Sequence, residues 1–438
     1  MNEQYAAHVR EMQERWQRIA TEEGFDAVLV LAGSPRVSFL DDFEYAFRAN
    51  PHFLAWLPLT HHPHCALLVR PGERPRLWYY QPEDFWHLPP TDPEAWWSDR
   101  FEIDVMGEPG AWRAALPGAG ASLAVIGDET GPDGSIPGAE HNPEQLLMRL
   151  HLERTRKTGW EIDCMRRANR RAVAGHRAAE RAFREGRSEF DIHLEYLRAV
   201  RQNDAELPYG SIVALNEHGA VLHYQQRERV APEPSRSFLI DAGATEYAYA
   251  SDITRTHAGD SGAFADLISA LDTVQQDLAA AVGPGLDYRD LHLRAHLEIS
   301  GVLRAAGIIR VAPEEAVSSG LSAVFFPHGL GHFIGLQTHD VAGLVDDHGA
   351  PVPRPDGHPF LRLTRKLEPG NVLTIEPGIY FIEPLLSRWK ETADATAVDW
   401  AVVESLAPCG GIRIEDNVLV TREGAENLTR DAFAGQGG

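Results

Sequence analysis

Cysteines and basic residues are both scarce in this chain. The 438 residues include three cysteines, Cys65, Cys164 and Cys409, which lie far apart. An odd number of widely spaced cysteines gives no disulfide framework, so we expect a reducing, cytoplasmic location. The 41 lysines and arginines are outnumbered by 64 aspartates and glutamates, for a formal net charge of −23. This excess of negative charge argues against nucleic acid or an anionic membrane surface as a partner.

Long apolar runs are also missing. No stretch approaches the roughly 18 uninterrupted apolar residues that would cross a bilayer. The N-terminal segment MNEQYAAHVREMQERW is charged and helix-like, without the apolar core of a signal peptide. Apolar residues make up 43% of the chain and charged residues 24%, which is typical of a soluble globular protein. A chain of this length is expected to form two or three domains.

The pattern of elements predicts a mixed α/β (α+β) chain with a domain boundary near residue 150. Short β-rich runs follow an amphipathic helix at 11–24, and we predict buried strands at 27–33, 65–70, 76–81 and 122–128. A long helix should come next, because small residues recur at spacings of three and four. Its predicted packing face consists of Met165, Ala168, Ala172, Gly175, Ala179 and Ala182.

Five acidic and imidazole side chains in the second half of the chain predict its chemistry. They are Asp241, Asp252, His332 in HGLGHFIG, Glu376 in TIEPG and Glu415 in GIRIED. Four carboxylates and one imidazole suit two divalent metals, Mn²⁺ or Co²⁺ better than a structural zinc. Two metals ~3.5–4 Å apart can hold a bridging hydroxide near neutral pH. The set therefore predicts metal-dependent hydrolysis.

The first two carboxylates fall in a predicted hairpin, SFLIDAGATEYAYASDITRTH. We predict that it is centred between Glu246 and Tyr247, which would place Asp241 directly opposite Asp252 on one face of the sheet. Two adjacent buried carboxylates repel each other, and a cation between them would remove that cost. Considered alone, the two aspartates would more simply be a solvated pair beside a turn.

Three later segments complete the predicted set. HGLGHFIGLQTHD contains three histidines, and its glycine spacing does not match a dinucleotide-binding motif. Glu376 follows a β-rich run, so it should lie at a strand end where a site can open. In GGIRIEDNVLV, alternation places Arg413 and Glu415 on one face. Each segment alone could be explained by a core histidine or an ion pair, but the five segments together favour a metal site.

The order and the residue sequences of these motifs resemble those of the M24 "pita-bread" metallopeptidases. Within that group the chain is similar to the bacterial Xaa-Pro dipeptidases (prolidases), which include the organophosphorus acid anhydrolases. The resemblance implies an N-terminal α/β domain, 1–154, that closes the substrate pocket and dimerises, and a pita-bread catalytic domain, 155–438. The segments that carry the resemblance are FLDDFEYAFRANPHFLAWLP (39–58), YYQPEDFWH (79–87), PYGSIVALNEHGAVLHY (208–224), FFPHGLGHFIGLQTHD (325–340) and PFLRLTRKLEPGNVLTIEPGIYFIE (359–383).

The resemblance implies a role for each metal ligand. Asp241 would bind one metal, Asp252 and Glu415 would bridge both, and His332 and Glu376 would bind the other. Glu376 would also accept the proton of the attacking water. The ions would be two Mn²⁺, with Co²⁺ or Zn²⁺ as alternatives.

The resemblance also implies residues that contact the substrate. His223 and His339 would polarise the scissile carbonyl or hold the proline end. Arg362 would bind the free carboxylate of the dipeptide, whereas Arg413 would be occupied in holding a bridging carboxylate. Tyr209 and Leu222 would line the pocket. In a homodimer, the N-terminal domain of the partner subunit would supply Asp42 for the substrate amine and Trp86 for the pocket wall.

The expected reaction is hydrolysis of Xaa-Pro dipeptides to a free amino acid and proline. An aminopeptidase P-like enzyme, which cuts longer Xaa-Pro peptides, is one alternative, and organophosphate triester hydrolysis as a main or side activity is another. A catalytically dead pita-bread binding module would typically lack metal ligands, and all five are present here. Thr338 stands beside His339, where close relatives generally carry valine, and its hydroxyl would alter the small pocket.

Overall fold

The computed structural model describes residues 2–116, 118, 120–128 and 136–435. The chain divides into two compact units, Met1–Asp163 and Cys164–Gly438. The division lies inside a long helix, a few residues after the predicted boundary at 154. Among the described residues, no helix is both long and apolar enough to cross a membrane.

The first unit is built on a mixed six-stranded sheet. Its strand order is β4-β3-β2-β1-β5-β6, with β1 antiparallel to β2 and parallel to β5. The strands predicted at 27–33, 65–70, 76–81 and 122–128 are confirmed as β1, β2, β3 and β5. In chain order the elements are α1 (Asn2–Glu22), β1 (Ala27–Leu31), α2 (Pro51–Leu54), β2 (Ala66–Val69), β3 (Arg76–Tyr80), α3 (Ala95–Ser98), β4 (Glu102–Met106), β5 (Leu123–Ile126), β6 (Glu140–His141) and α4 (Glu144–Arg154).

The burial pattern explains these elements. Every residue of β1 is buried, as expected for a central strand covered on both faces. In α1, the residues Val9, Met12, Trp16 and Ile19 repeat at spacings of three and four and are all buried. This spacing places them on one side of a helix, which therefore packs its apolar face inward.

The second unit carries the predicted metal ligands on several small antiparallel sheets with helices packed around them. The sheets are β11-β8-β7, β12-β15-β16, β13-β14 and the β9-β10 hairpin. In chain order the elements are α5 (Gly159–Arg184, which begins in the first unit), α6 (Glu189–Val200), β7 (Ile212–Leu215), β8 (Ser237–Asp241), β9 (Thr245–Glu246), β10 (Tyr249–Ala250), β11 (Thr254–Ala258), α7 (Ala263–Ala280), α8 (Tyr288–Ala305), α9 (Pro313–Ser318), α10 (Leu321–Phe325), β12 (Val372–Ile375), β13 (Gly378–Tyr380), α11 (Glu383–Lys390), α12 (Trp400–Leu406), β14 (Gly411–Arg413), β15 (Asp416–Val420), β16 (Ala425–Asn427) and α13 (Leu428–Gly435).

The predicted small-residue helix is confirmed as α5. Its alanines at 168, 172 and 179 are fully buried. A Cβ atom added at Gly175 would lie 2.5 Å from the Tyr196 ring and 2.6 Å from Val200. Small side chains on this face therefore allow α6 to pack closely against α5.

The register of the predicted hairpin differs from our expectation. Asp241 is paired with Thr254, not with Asp252, and the turn residues are Tyr247 and Ala248. The predicted centre was therefore wrong by one residue, which moves each cross-strand partner by two. Because side chains alternate with a period of two, a shift of two residues keeps Asp252 and Thr254 on the same face.

Candidate metal centre

The centre lies where β8, β11, β12 and β14 meet. Asp241 is the last residue of β8, and Asp252 lies between β10 and β11. Glu415 follows β14 and is bridged to Thr254 at the start of β11. One ligand atom from each of Asp252, His332 and Glu415 lies within 4.8 Å of the others. The structure thus brings together side chains that are up to 163 positions apart in the sequence.

Arg413 connects two of the predicted ligands. Its Nη2 donates to Oδ2 of Asp241 at 2.7 Å, and its Nε donates to Oγ1 of Thr254 at 3.2 Å. The Thr254 hydroxyl in turn donates to Oε2 of Glu415 at 2.8 Å. We expected Arg413 to hold a bridging carboxylate. Instead it binds Asp241 directly and reaches Glu415 through Thr254, because residues two apart on the strand share one face without touching.

The ring of His332 is oriented by its own backbone. Nδ1 lies 2.9 Å from the carbonyl oxygen of Phe333, and since a carbonyl only accepts hydrogen bonds, Nδ1 carries the proton. Nε2 then faces Oδ2 of Asp252 at 3.4 Å and Oε1 of Glu376 at 3.7 Å. A histidine whose second nitrogen donates to a backbone carbonyl is arranged as metal-binding histidines usually are.

The backbone around His332 is held against β12. Its amide donates to Oγ1 of Thr374 at 3.1 Å. A Cβ atom at Gly331 would collide with the carbonyl oxygen of Thr374, so the close approach of the two segments requires glycine there. Glu376 follows the end of β12, as predicted, and its Oε1 lies 3.3 Å from the Thr374 hydroxyl.

A buried polar network supports Asp252 from behind. Its backbone amide donates to Oδ1 of Asn417 at 3.0 Å, and the side-chain amide of Asn417 donates to the Asp252 carbonyl at 2.6 Å. Asn169 and Thr429 continue the network with hydrogen bonds of 3.1 Å and 2.9 Å to Asn417. Since the side chains of Asn169, Asn417 and Thr429 are buried and hydrogen-bonded, the network fixes the position of the Asp252 backbone.

The electrostatics of the centre favour bound cations. Burial raises the pKa of the Glu376 carboxyl to about 7, opposed by the charge of His332 and assisted by that of Asp252. Burial, assisted by the neighbouring carboxylates, raises the pKa of Glu415 well above its usual range. Carboxyls that hold protons at neutral pH would exchange them for a divalent ion, which supplies the missing positive charge.

The hydrogen-bonding inventory is also consistent with a metal site. Among the described residues, Oδ1 of Asp241 and Oδ1 of Asp252 are buried and have no hydrogen-bond partner. A buried carboxylate oxygen without a donor is costly unless an ion or water satisfies it. The donor set is rich in oxygen with a single imidazole, so the residues present fit two hard-to-borderline divalent metals.

The predicted substrate residues of the second unit lie around this cluster. His223, His339 and Arg362 are exposed, whereas Leu222 and Tyr209 are partly buried. Desolvation by the surrounding protein, together with the positive charges of His332 and Arg362, lowers the pKa of the His339 imidazole to about 4, although part of its side chain is open to solvent. Burial, together with the charges of Asp241 and Asp252, raises the pKa of the Tyr209 phenol well above its usual range.

The two predicted residues of the first unit are both exposed. Asp42 lies in an exposed loop, and the Trp86 side chain is 78% exposed. Neither side chain is therefore part of the core of its own unit.

Several supporting residues had no role in the sequence analysis. Thr254 and Asn417 lie two positions after Asp252 and Glu415, respectively, so strand alternation could have suggested them. Tyr380 accepts a 2.9 Å hydrogen bond from Nη1 of Arg413 and lies 2.8 Å from Nε2 of His328. Its only signal in the sequence is its position two residues after Pro377–Gly378.

Known protein families match both units of the chain. Residues 3–152 match the model of the Xaa-Pro dipeptidase N-terminal domain, and residues 163–422 match the model of metallopeptidase family M24. A protein named Xaa-Pro dipeptidase from Xanthomonas campestris pv. campestris (strain B100) is 50% identical over 432 residues, which cover 98% of each chain. Another of that name from Stenotrophomonas maltophilia (strain R551-3) is 48% identical over 436 residues, covering 99% of this chain and 98% of its own.

Solved structures share the fold at much lower identity. Aminopeptidase PepP of Pseudomonas aeruginosa superposes with a TM-score of 0.74 at 23% identity, covering 99% of this chain and 95% of its own. Aminopeptidase P from E. coli with the inhibitor Pro-Leu gives a TM-score of 0.75 at 23% identity, with coverages of 97% and 95%. The predicted pita-bread fold of the second unit and the mixed α/β class are confirmed. The chain belongs to metallopeptidase family M24, and its N-terminal region is of the Xaa-Pro dipeptidase type.

Proposed function

We propose that this chain is a metallo-dipeptidase that hydrolyses Xaa-Pro dipeptides to a free amino acid and proline. The observation that supports the proposal is the cluster of Asp252, His332 and Glu415, with Glu376 beside it and with unbonded buried oxygens on Asp241 and Asp252, in a chain half identical to proteins named Xaa-Pro dipeptidase. The five ligands are Asp241, Asp252, His332, Glu376 and Glu415.

The proposed cofactor is a pair of Mn²⁺ ions, with Co²⁺ or Zn²⁺ as alternatives. When bound, such ions lower the pKa of water and polarise a carbonyl oxygen. The oxygen-rich donor set supports Mn²⁺ because carboxylates suit hard cations better than imidazole or thiolate ligands do. His332 would present its Nε2, since its Nδ1 is already bonded to the carbonyl of Phe333.

Glu376 is the proposed general base. It lies at a strand end with one oxygen 3.3 Å from the Thr374 hydroxyl, so its position is well defined. The proton that burial favours on this carboxyl would be displaced by bound metal, and the resulting carboxylate could accept a proton from the attacking water and pass it on. His339 is neutral at pH 7, because its pKa is lowered to about 4. It can therefore donate a hydrogen bond to the scissile carbonyl without adding a charge.

The substrate termini are the proposed determinants of specificity. An Xaa-Pro bond has no N–H, so an enzyme for it must bind other groups of the substrate. Arg362 is exposed and close enough to His339 to affect its pKa, which supports a role in binding the dipeptide carboxylate. His223, Tyr209 and Leu222 are proposed to line the remaining pocket. A fixed site for the carboxylate would exclude longer peptides.

Thr338 is the residue most suited to alter the choice of Xaa. Its Oγ1 is buried and has no hydrogen-bond partner among the described residues. A hydroxyl in that state can bond a polar substrate group, and it lowers the affinity for a purely apolar one. Because the Thr338 hydroxyl would change the small pocket, phosphotriesters are also substrates to be tested.

A homodimer and a cytoplasmic location are also proposed. Two loops of the first unit expose apolar side chains that a partner subunit would cover. In a homodimer, these loops would bring Asp42 and Trp86 to the pocket of the partner subunit. The few, widely spaced cysteines support the cytoplasm. The exposed side chains, with their exposed fractions, are Phe39 (90%), Leu40 (91%), Phe43 (61%), Phe85 (86%), Trp86 (78%) and Leu88 (94%).

The decisive experiment is proline release by chelator-stripped protein reloaded with Mn²⁺, Co²⁺ or Zn²⁺. Metal-dependent cleavage of an Xaa-Pro dipeptide, but not of an Xaa-Pro-Xaa tripeptide, is the expected result. Cleavage of the tripeptide would instead identify an aminopeptidase P-like enzyme. Hydrolysis of a phosphotriester alone, or no hydrolysis with metal bound, would contradict the proposal and leave the organophosphatase or binding-module alternatives.

A further inference from the structure

A second cluster of imidazoles lies outside the centre described above. His292 and His296 are four residues apart on α8, which places them on one face of that helix, and His358 comes from a later loop. One ring nitrogen from each lies within 4.8 Å of the others. The ring centroids are 4.4 to 4.7 Å apart. Three imidazoles this close bring six nitrogens into one small volume, and each buried nitrogen needs a partner.

His296 has one nitrogen that lacks such a partner. The residue is 1% exposed, and its Nδ1 lies 3.0 Å from the Ser322 hydroxyl. Its Nε2 is buried and makes no hydrogen bond to any described residue. An imidazole with Nδ1 bonded to an oxygen and Nε2 left open has the arrangement of a metal ligand. A bound cation would satisfy the open nitrogen.

The other two rings are joined by a hydrogen bond. Nε2 of His292 lies 3.0 Å from Nδ1 of His358. Nδ1 of His292 accepts a 3.3 Å hydrogen bond from the amide of Leu330, so without metal the proton of His292 is on Nε2. To bind a cation through Nε2, His292 must move that proton to Nδ1 and give up the long contact with Leu330. Metal binding at His292 therefore replaces its hydrogen bond with His358 and its 3.3 Å contact with the amide of Leu330.

The charge state of the cluster suits a neutral-ligand site. Burial, with the mutual repulsion of the rings, lowers the pKa of His292 to about 2 and that of His296 to about 3. Burial also lowers the pKa of His358. All three rings are uncharged at neutral pH, and a neutral imidazole is the form that binds metals. His358 is only partly buried, which leaves a route for an ion to enter.

We propose that His292, His296 and His358 form a further divalent-metal site, selective for borderline cations such as Zn²⁺. Three imidazoles with a water in the fourth position is a known coordination pattern for zinc. The site differs in chemistry from the carboxylate centre, which offers four oxygen ligands and one imidazole. The two sites should therefore differ in metal preference. Mn²⁺ should prefer the carboxylate centre, whereas Zn²⁺ should bind at both sites.

Zinc stoichiometry tests the proposal. Metal-free full-length protein is incubated with excess Zn²⁺, passed over a desalting column and analysed for zinc per chain. We expect the wild type to hold one equivalent more than His358→Ala, and the exposed control His348→Ala to match the wild type. His358 is partly buried, so this variant should fold, and thermal melting checks that it does. Equal zinc contents in the wild type and in the double variant His296→Ala/His358→Ala, which keeps only one ring of the cluster, would overturn the proposal.

A spectroscopic measurement covers the case in which two remaining histidines still hold zinc. Cu²⁺ is added as a probe, and its electron paramagnetic resonance spectrum reports the number of bound nitrogens. We expect coupling to several imidazoles in the wild type and its loss in the double variant His296→Ala/His358→Ala. Coupling to a single imidazole in the wild type would contradict the site. Both measurements are independent of dipeptide hydrolysis, so the failure of the proposed activity would not affect them.

Discussion

Arg413 and Asp241 form a largely buried ion pair in which Nη2 and Oδ2 are 2.7 Å apart. The pair occupies one oxygen of the carboxylate and leaves Oδ1 without a donor among the described residues. Burial raises the pKa of Asp241, and the charge of Arg413 acts against this increase. The guanidinium thus orients the carboxylate through one oxygen, while the other oxygen stays open to a cation.

The planar guanidinium group of Arg413 should contribute more to metal affinity and activity than its positive charge alone. Its three nitrogens contact Asp241, Thr254 and Tyr380, and a lysine cannot reach all three. We expect Arg413→Lys to lower metal affinity or activity by roughly 10- to 100-fold, as loss of an outer-shell partner usually does. Metal titration and proline release measure this, with the exposed Arg388→Lys as the control. Unchanged metal affinity and activity in Arg413→Lys would show that charge alone suffices.

Arg362→Ala should affect substrate binding and leave the metals in place. A hydrogen bond to a charged group contributes about 1.5–3 kcal/mol, so we expect KM to rise roughly 10- to 100-fold. Steady-state kinetics on an Xaa-Pro dipeptide, together with metal analysis, measure the change, and the exposed Arg422→Ala serves as the control. If KM stayed normal, another residue would have to bind the carboxylate.

Metal affinity should increase with pH, and Glu376 should contribute to this increase up to about pH 7. The pKa of Glu376 is raised from 4.5 to about 7 in the metal-free protein, so below that pH a proton competes with the metal. Each proton displaced changes the apparent affinity by about tenfold per pH unit. Titrations with Mn²⁺ at pH 6, 7 and 8 should show a dependence that becomes shallower above about pH 7, where Glu415, whose pKa is raised well above its usual range, continues to contribute. Glu376→Gln, which has no proton to lose, should flatten the profile further, and an equally steep profile in this variant would exclude Glu376 as the source.

Asp416 should stabilise the folded protein, although it is next to the predicted metal ligand Glu415. Its side chain is fully buried and forms ion pairs of 2.6 Å with Arg255 and 2.8 Å with Arg430. Burial opposes its ionisation, but the two arginines outweigh this and lower its pKa to about 2. Its contribution to stability is therefore present above the ordinary carboxyl pKa of 3.8 and is lost as the pH falls toward 2.

Asp416→Asn removes the negative charge that both arginines need. The expected loss is about 3–5 kcal/mol in the free energy of unfolding, which is typical of breaking a buried ion pair from one side. Urea unfolding at pH 7 measures the loss, with the exposed Glu423→Gln as the control. A loss below about 1 kcal/mol, the range of a surface pair, would mean that the arginines find other partners.

Thr338→Val should stabilise the protein and change its substrate preference. Valine has the shape of threonine without the hydroxyl, which is buried and lacks a partner. Removing such a group avoids a penalty of about 1–3 kcal/mol. Thermal melting should show a higher Tm, and kinetics should shift toward apolar Xaa residues. A lower Tm would indicate that the hydroxyl bonds an ordered water, and Thr338→Ser, which keeps the hydroxyl, is the control.

Some parts of the site could be predicted because they depend on local pattern. Glu376 was expected at a strand end, and it follows β12 directly. The face shared by Arg413 and Glu415 follows from strand alternation, and both side chains contact Thr254. The hairpin register could not be predicted from the same kind of pattern. Its turn uses positive φ values of 49° and 69° at Tyr247 and Ala248, and such values usually signal glycine or asparagine.

The sequence by itself determined the ligand types, the strands that carry them and the chemistry they allow. These follow from residue identity and from periods of two and 3.6, which are local properties. Only the tertiary structure decided that Thr254 links Arg413 to Glu415, and that His358 joins His292 and His296. Those contacts join segments more than 60 residues apart, and packing rather than any local periodicity sets their distances.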